Sequence, residues 1–160
     1  FSPGIQQGGR LHRLIDSYTD AHPIVRQGTR RMHARHGKYA GVVIDVLYDY
    51  ILASHWEEFG PGQLQDFANS AYQVLTEHLP LMPNRLHAVV PNMIADNWLV
   101  RYGTREGIDF TFSRLRMRVS KPNYLRDVLT TLDENEKELT EEFRQFFPDI
   151  AREVRLFCAC

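Results

Sequence analysis

The sequence predicts an all-α protein, a single-domain helical bundle spanning residues 1–160. Three observations carry that expectation. Apolar residues recur at three- and four-residue spacing along the chain, strand-like alternation is nowhere sustained, and prolines and glycines fall between the periodic segments. A chain of 160 residues, 43% hydrophobic and with a net charge of −1, is long and apolar enough to bury a proper core. No internal repeat or low-complexity linker suggests a second domain.

In the first segment Leu11, Leu14, Ile15 and Tyr18 form one apolar stripe, with His12 and Asp16 one turn apart on its flank. Asp20 and His22 then precede Pro23, where a helix-opening proline and an aspartate near the cap predict a tight inter-helix turn. The second helix is basic. Between Asp20 and Asp45 there is no acidic residue, while Arg26, Arg30, Arg31, Arg35 and Lys38 accumulate with His33 and His36. Residues 39–59 are apolar nearly all round and predict a central helix. Residues 63–79 place Leu64, Phe67, Ala68, Ala71, Tyr72 and Leu75 on one face of a helix ended by Pro80, with Pro83 opening the next. Leu86, Val89, Val90, Met93, Ile94 and Trp98 continue helical spacing through Pro91, which should kink or split that element. Trp98 and Tyr102 are expected in the core, as aromatics at helical spacing usually are, with lining of a site as the alternative. Gly103 and Gly107 mark a connection, and Ile108, Phe112 and Leu115 predict another helix. A long amphipathic helix is expected from Ser120-Lys121-Pro122, with a solvated acidic face over residues 133–142, a stop at Pro148 and a short last helix carrying Ile150, Val154 and Phe157.

Chemistry concentrates in two places. Asp45 and Asp49 stack at i, i+4 within the apolar central helix, where two carboxylates repel and pay for desolvation unless a cation faces them. That cation is either a divalent metal, with imidazoles and carboxylates from the His12–His22 stretch as further donors, or an arginine such as Arg13 in a structural ion pair. Elsewhere the sequence excludes more than it offers. No apolar run reaches membrane-spanning length free of charge, no signal peptide is visible, and there is no overall basic excess of nucleic-acid-binding size. Cys158 and Cys160 are too few for a disulfide framework and read as free cytosolic thiols.

Four segments, residues 12–23, 45–56, 97–102 and 143–148, resemble in content and order the bacterial acyl carrier protein phosphodiesterases. The resemblance implies an HD-like helical fold, a cytoplasmic phosphodiester hydrolase of fatty-acid and lipid metabolism, and manganese as the metal. It further implies removal of 4′-phosphopantetheine from the serine of holo acyl carrier protein. On that reading Asp16, Asp20, Asp45 and Asp49 are expected as metal ligands or as groups that orient them. His12 joins them as ligand or catalytic group, Arg13 would bind the phosphate, and His22 would serve as acid or base for the serine leaving group. Arg26, Arg30, Arg31 and Arg35 would dock the strongly acidic carrier. The alternatives are an HD-like phosphohydrolase acting on a nucleotide or another small phosphoester, and a non-catalytic helical binding module. The family's members begin with a further segment carrying a histidine and an aspartate, whereas this chain opens at Phe1-Ser2-Pro3. They also often carry histidine where Tyr50 stands, and a phenol is the poorer ligand.

Overall fold

The structure is a computed structural model that describes residues 3–159, and among these every regular element is helical. The first two helices, α1 (Pro3–Ala21) and α2 (Pro23–His36), meet at a one-residue turn. Pro23 opens α2 as expected, but the cap is His22 rather than Asp20: the His22 Nδ1 accepts from the Ile24 amide at 3.3 Å. A 3₁₀ turn leads into α3 (Ala40–Ser54), the central helix, whose Val43, Ile44, Leu47 and Ile51 are wholly enclosed. The expected single helix over 39–59 is broken at His55, and α4 (Trp56–Phe59) turns away from α3 there.

α5 (Leu64–His78), α6 (Leu86–Ala95) and the short α7 (Trp98–Arg101) pack on one another beside this core. Their pivot is Tyr72, whose hydroxyl donates to the Asn97 side-chain carbonyl at 3.0 Å and accepts from the Leu99 amide at 2.9 Å. Asn97 sits at φ 50°, a left-handed conformation that asparagine tolerates better than most residues. That turn aims α7 and the following Tyr102 back toward α3. α8 (Arg105–Arg116) is capped by Thr104, whose hydroxyl accepts from the Gly107 amide, and buries Ile108 and Phe112 in the main core.

The last helix, α9 (Val128–Ala159), differs most from expectation. It starts after Asp127, with residues 122–125 forming a separate 3₁₀ turn, and it runs through Pro148 without ending. Pro148 is exposed, so the Arg144 carbonyl that loses its partner faces water, while Phe146, Ile150 and Val154 on the opposite side pack against the core. That burial outweighs the roughly 3 kcal/mol that an interior proline costs. Pro91, also exposed, likewise leaves α6 continuous.

Polar ties between α2 and α9 explain why α2 is not a free basic face. Glu142 is buried against Arg31, and Arg35 reaches Glu134 at 2.8 Å and the Thr131 hydroxyl at 3.0 Å. The fully enclosed His36 donates from Nδ1 to the Tyr124 carbonyl and accepts the Thr131 hydroxyl proton at Nε2, both at 2.7 Å. Burial lowers its pKa, which keeps the ring neutral and this arrangement intact. The acidic run is therefore only partly solvated, since Glu142 and Glu136, the latter accepting from Tyr50, serve the fold. No helix among the described residues is long and apolar enough to cross a membrane. Cys158 is exposed and free, and Cys160 lies outside the described residues.

Candidate active site

Three helices wall a groove of about 1050 Å³. α1 contributes His12, Ile15, Asp16, Thr19 and Asp20 at helical spacing; α3 contributes Asp45, Tyr48, Asp49 and Leu52 on one stripe; α9 contributes an apolar wall around Phe143, Phe146 and Ile150. All four aspartates expected at a metal site thus face one cavity. None of the four is buried. Asp45 and Asp49 remain open to water on the groove floor, contrary to the enclosure that their apolar neighbours suggested, because the stripe they occupy is the side of α3 that α1 and α9 leave uncovered.

Their electrostatics are nevertheless unusual. Surrounding protein thins the solvation of both carboxylates, and this raises the pKa of Asp45, aided by the charges of Asp20 and Asp16. Asp49 is pushed up to about 6 by the same loss of solvent and by the neighbouring Asp45. Neither forms an ion pair or hydrogen bond with another described residue, so the Asp–Arg13 pairing is not what the structure contains. Arg13 is exposed and does not line the groove.

The remaining expected residues divide sharply. His12 stands at the rim with its Nδ1 2.9 Å from Asp16, both side chains well exposed. His22 is turned out of the groove. Its Nδ1 accepts the capping bond while Nε2 donates to Asp149 at 3.2 Å, and its ring lies tilted against Tyr18 and edge-on to Phe146. Both nitrogens are occupied in holding α1, α2 and α9 together. Tyr50 also points elsewhere, toward Glu136. Arg26 and Arg30 line a smaller cavity beside the groove, with Asp20 and Asp45 forming its shared wall, whereas Arg31 and Arg35 are spent on α9.

One residue was missed: Arg155 lines the groove opposite the aspartates. It falls two turns beyond Phe147 on the same face of α9, a register visible only if the helix continues through Pro148. Of the two places expected for Tyr102, the core or the lining of a site, the second describes it better. It borders a cleft of about 150 Å³ that shares Asp49 and Leu52 with the groove. A further cavity, of about 270 Å³, lies between α6, α7 and α8 and carries Arg101, Arg114 and Arg118 but no acid.

The groove's donor set suits a hard divalent cation in charge, since four carboxylates line it and Asp45 and Asp49 have no ion-pair partner among the described residues. Among the described residues no three acidic, histidine or cysteine side chains stand close enough together to hold an ion alone. The protein therefore offers carboxylates singly or in pairs, the manner in which magnesium-like ions are held when water and phosphate oxygens complete the shell.

Known proteins give this geometry its context. The family described as acyl carrier protein phosphodiesterase matches residues 1–150. The chain is 27% identical over 156 residues to the acyl carrier protein phosphodiesterase of Serratia proteamaculans, covering 97% of this chain and 81% of that one. To the protein of the same name from Escherichia coli K12 it is 30% identical over 149 residues, or 92% of this chain and 77% of its relative. No solved structure matches. Since the match runs through all three helices that wall the four-aspartate groove, the chain belongs to the acyl carrier protein phosphodiesterase family.

Proposed function

We propose that the groove hydrolyses the phosphodiester that joins 4′-phosphopantetheine to the serine of a holo acyl carrier protein. The observation that carries this is the convergence of Asp16, Asp20, Asp45 and Asp49 on one solvent-open cavity, with Asp45 and Asp49 lacking a cationic partner among the described residues. A divalent cation, manganese on the family's pattern, would be held there by Asp45 and Asp49 and would supply water activation and charge neutralisation for the phosphoryl group. Arg155, on the α9 wall of the same groove, would bind the phosphate oxygens. His12, aligned by its contact with Asp16 at 2.9 Å, would return a proton to the serine oxygen. His22 is assigned to the fold and Arg13 to the surface.

The carrier itself would approach over Arg26 and Arg30, whose cavity adjoins the groove through Asp20 and Asp45. The place of such a reaction is the cytoplasm, where fatty-acid synthesis uses carrier proteins. Asp45→Asn and Asp49→Asn variants test the assignment. Both should lose phosphopantetheine release while keeping helical circular dichroism. Retained release in both would remove the groove from the chemistry. Comparing holo carrier with a nucleotide phosphodiester separates this reading from a small-phosphoester hydrolase.

A further inference from the structure

The groove has an exit whose chemistry is the opposite of its floor. Asp45, Asp49, Leu52 and Ala53 follow one another on α3 at i, i+4, i+7 and i+8, and Trp56 opens α4 just beyond the break at His55, so one stripe leaves the carboxylates and turns apolar. From Asp45 to Ala53 that stripe climbs about 12 Å at the helical rise of 1.5 Å per residue. The cleft along it is walled by Leu52, Ala53 and Trp56 on one side and by Leu64, Phe67, Leu99 and Tyr102 on the other, with Asp49 at its mouth. Trp56 and Phe67 lie ring against ring at 4.7 Å and form its far wall. The opposite side of the groove is less available, because Phe143 and Phe147 pack edge-on against Phe59.

We infer that this cleft seats the pantetheine arm of the substrate, which stays on the phosphate as the serine leaves, while the scissile phosphate lies at Asp45 and Asp49. The inference rests on the phosphodiesterase reading above. Its basis is continuity and direction. The carrier-facing cavity of Arg26 and Arg30 adjoins the carboxylates through Asp20 and Asp45, and the apolar cleft adjoins them through Asp49 and Leu52, farther along α3. A phosphodiester has two substituents, and the site has two flanking cavities of opposite character. The basic one suits an acidic protein; the apolar one suits a chain bearing a geminal dimethyl group and amides.

The test uses Phe67, which is 45% exposed on α5, so that replacing it leaves the core untouched. Phe67→Asp places a carboxylate in the cleft, and Phe67→Leu keeps its apolar character. With wild-type protein, unphosphorylated pantetheine should change the fluorescence of Trp56, measured in a Trp98→Phe background, and should inhibit cleavage of holo carrier competitively. Phe67→Asp should weaken that binding and raise KM for holo carrier about tenfold, in line with the loss of one apolar contact region. Its turnover of bis(p-nitrophenyl) phosphate, which has no arm, should stay within about twofold of wild type. Phe67→Leu should restore most of the affinity. Equal effects on both substrates, or no effect on either, would overturn the inference. Absence of holo-carrier cleavage by the wild-type protein would instead overturn the phosphodiesterase reading.

Discussion

Replacing Asp49 by asparagine should make the protein more stable at neutral pH, although it removes a residue of the site. Asp49 is held up to about 6 against an ordinary value of 3.8, by thin solvation and by the charge of Asp45. The folded protein therefore keeps a proton between about pH 4 and 6 that the unfolded chain has released. Stability from this group is greatest below that window, falls as pH rises through it, and stays reduced above it. Taken at face value the two-unit shift corresponds to about 3 kcal/mol, but the carboxylate is open to water, and screening reduces the effect to roughly 1 kcal/mol. For a chain of this size that is a rise in Tm of about 2–4 °C. Thermal unfolding of both proteins at several pH values is the assay. The variant and the wild type should agree near pH 4 and diverge progressively to pH 7. Manganese should raise the wild-type Tm more than that of the variant. A variant less stable than wild type at pH 7 would refute the reasoning, since it would mean that a cation of the protein already compensates Asp49.

Four further outcomes follow from the geometry. The Tyr48 hydroxyl is buried without a hydrogen-bond partner among the described residues, so Tyr48→Phe should leave stability unchanged or raise it by about 1 kcal/mol in chemical denaturation. Reversing Arg26 and Arg30 to glutamate should raise KM for holo carrier and flatten its salt dependence, with little effect on bis(p-nitrophenyl) phosphate. The same reversal at Arg31 should instead lower the Tm by stranding the buried Glu142, at a cost of roughly 3 kcal/mol. Arg155→Ala should reduce kcat/KM on both substrates by about tenfold or more while leaving the Tm within a few degrees, because the side chain is exposed and serves only the groove.

The helical class and most elements were legible because amphipathic spacing reports burial directly: the stripes on α3, α5 and α8 correspond to enclosed residues such as Leu47, Tyr72 and Phe112. The four aspartates were legible for a related reason, since carboxylates at i, i+4 within an apolar helix need a physical explanation. What sequence could not supply was long-range pairing. Arg31 and Arg35 look like any solvated basic face until α9 brings Glu142 and Glu134 against them. His22 reads as a catalytic base only while its capping bond and Asp149, 127 positions away, are unseen. Proline rules misled at Pro148, where the apolar face of α9 outweighs the local penalty, and the same error hid Arg155.

Incubating holo acyl carrier protein with this protein and manganese, then measuring intact mass, tests the central claim most directly. The account predicts conversion of the carrier to the apo mass with free 4′-phosphopantetheine in solution, and loss of that conversion in the Asp49→Asn protein. A carrier mass that stays at the holo value, under conditions where the protein is folded and manganese raises its Tm, would contradict it.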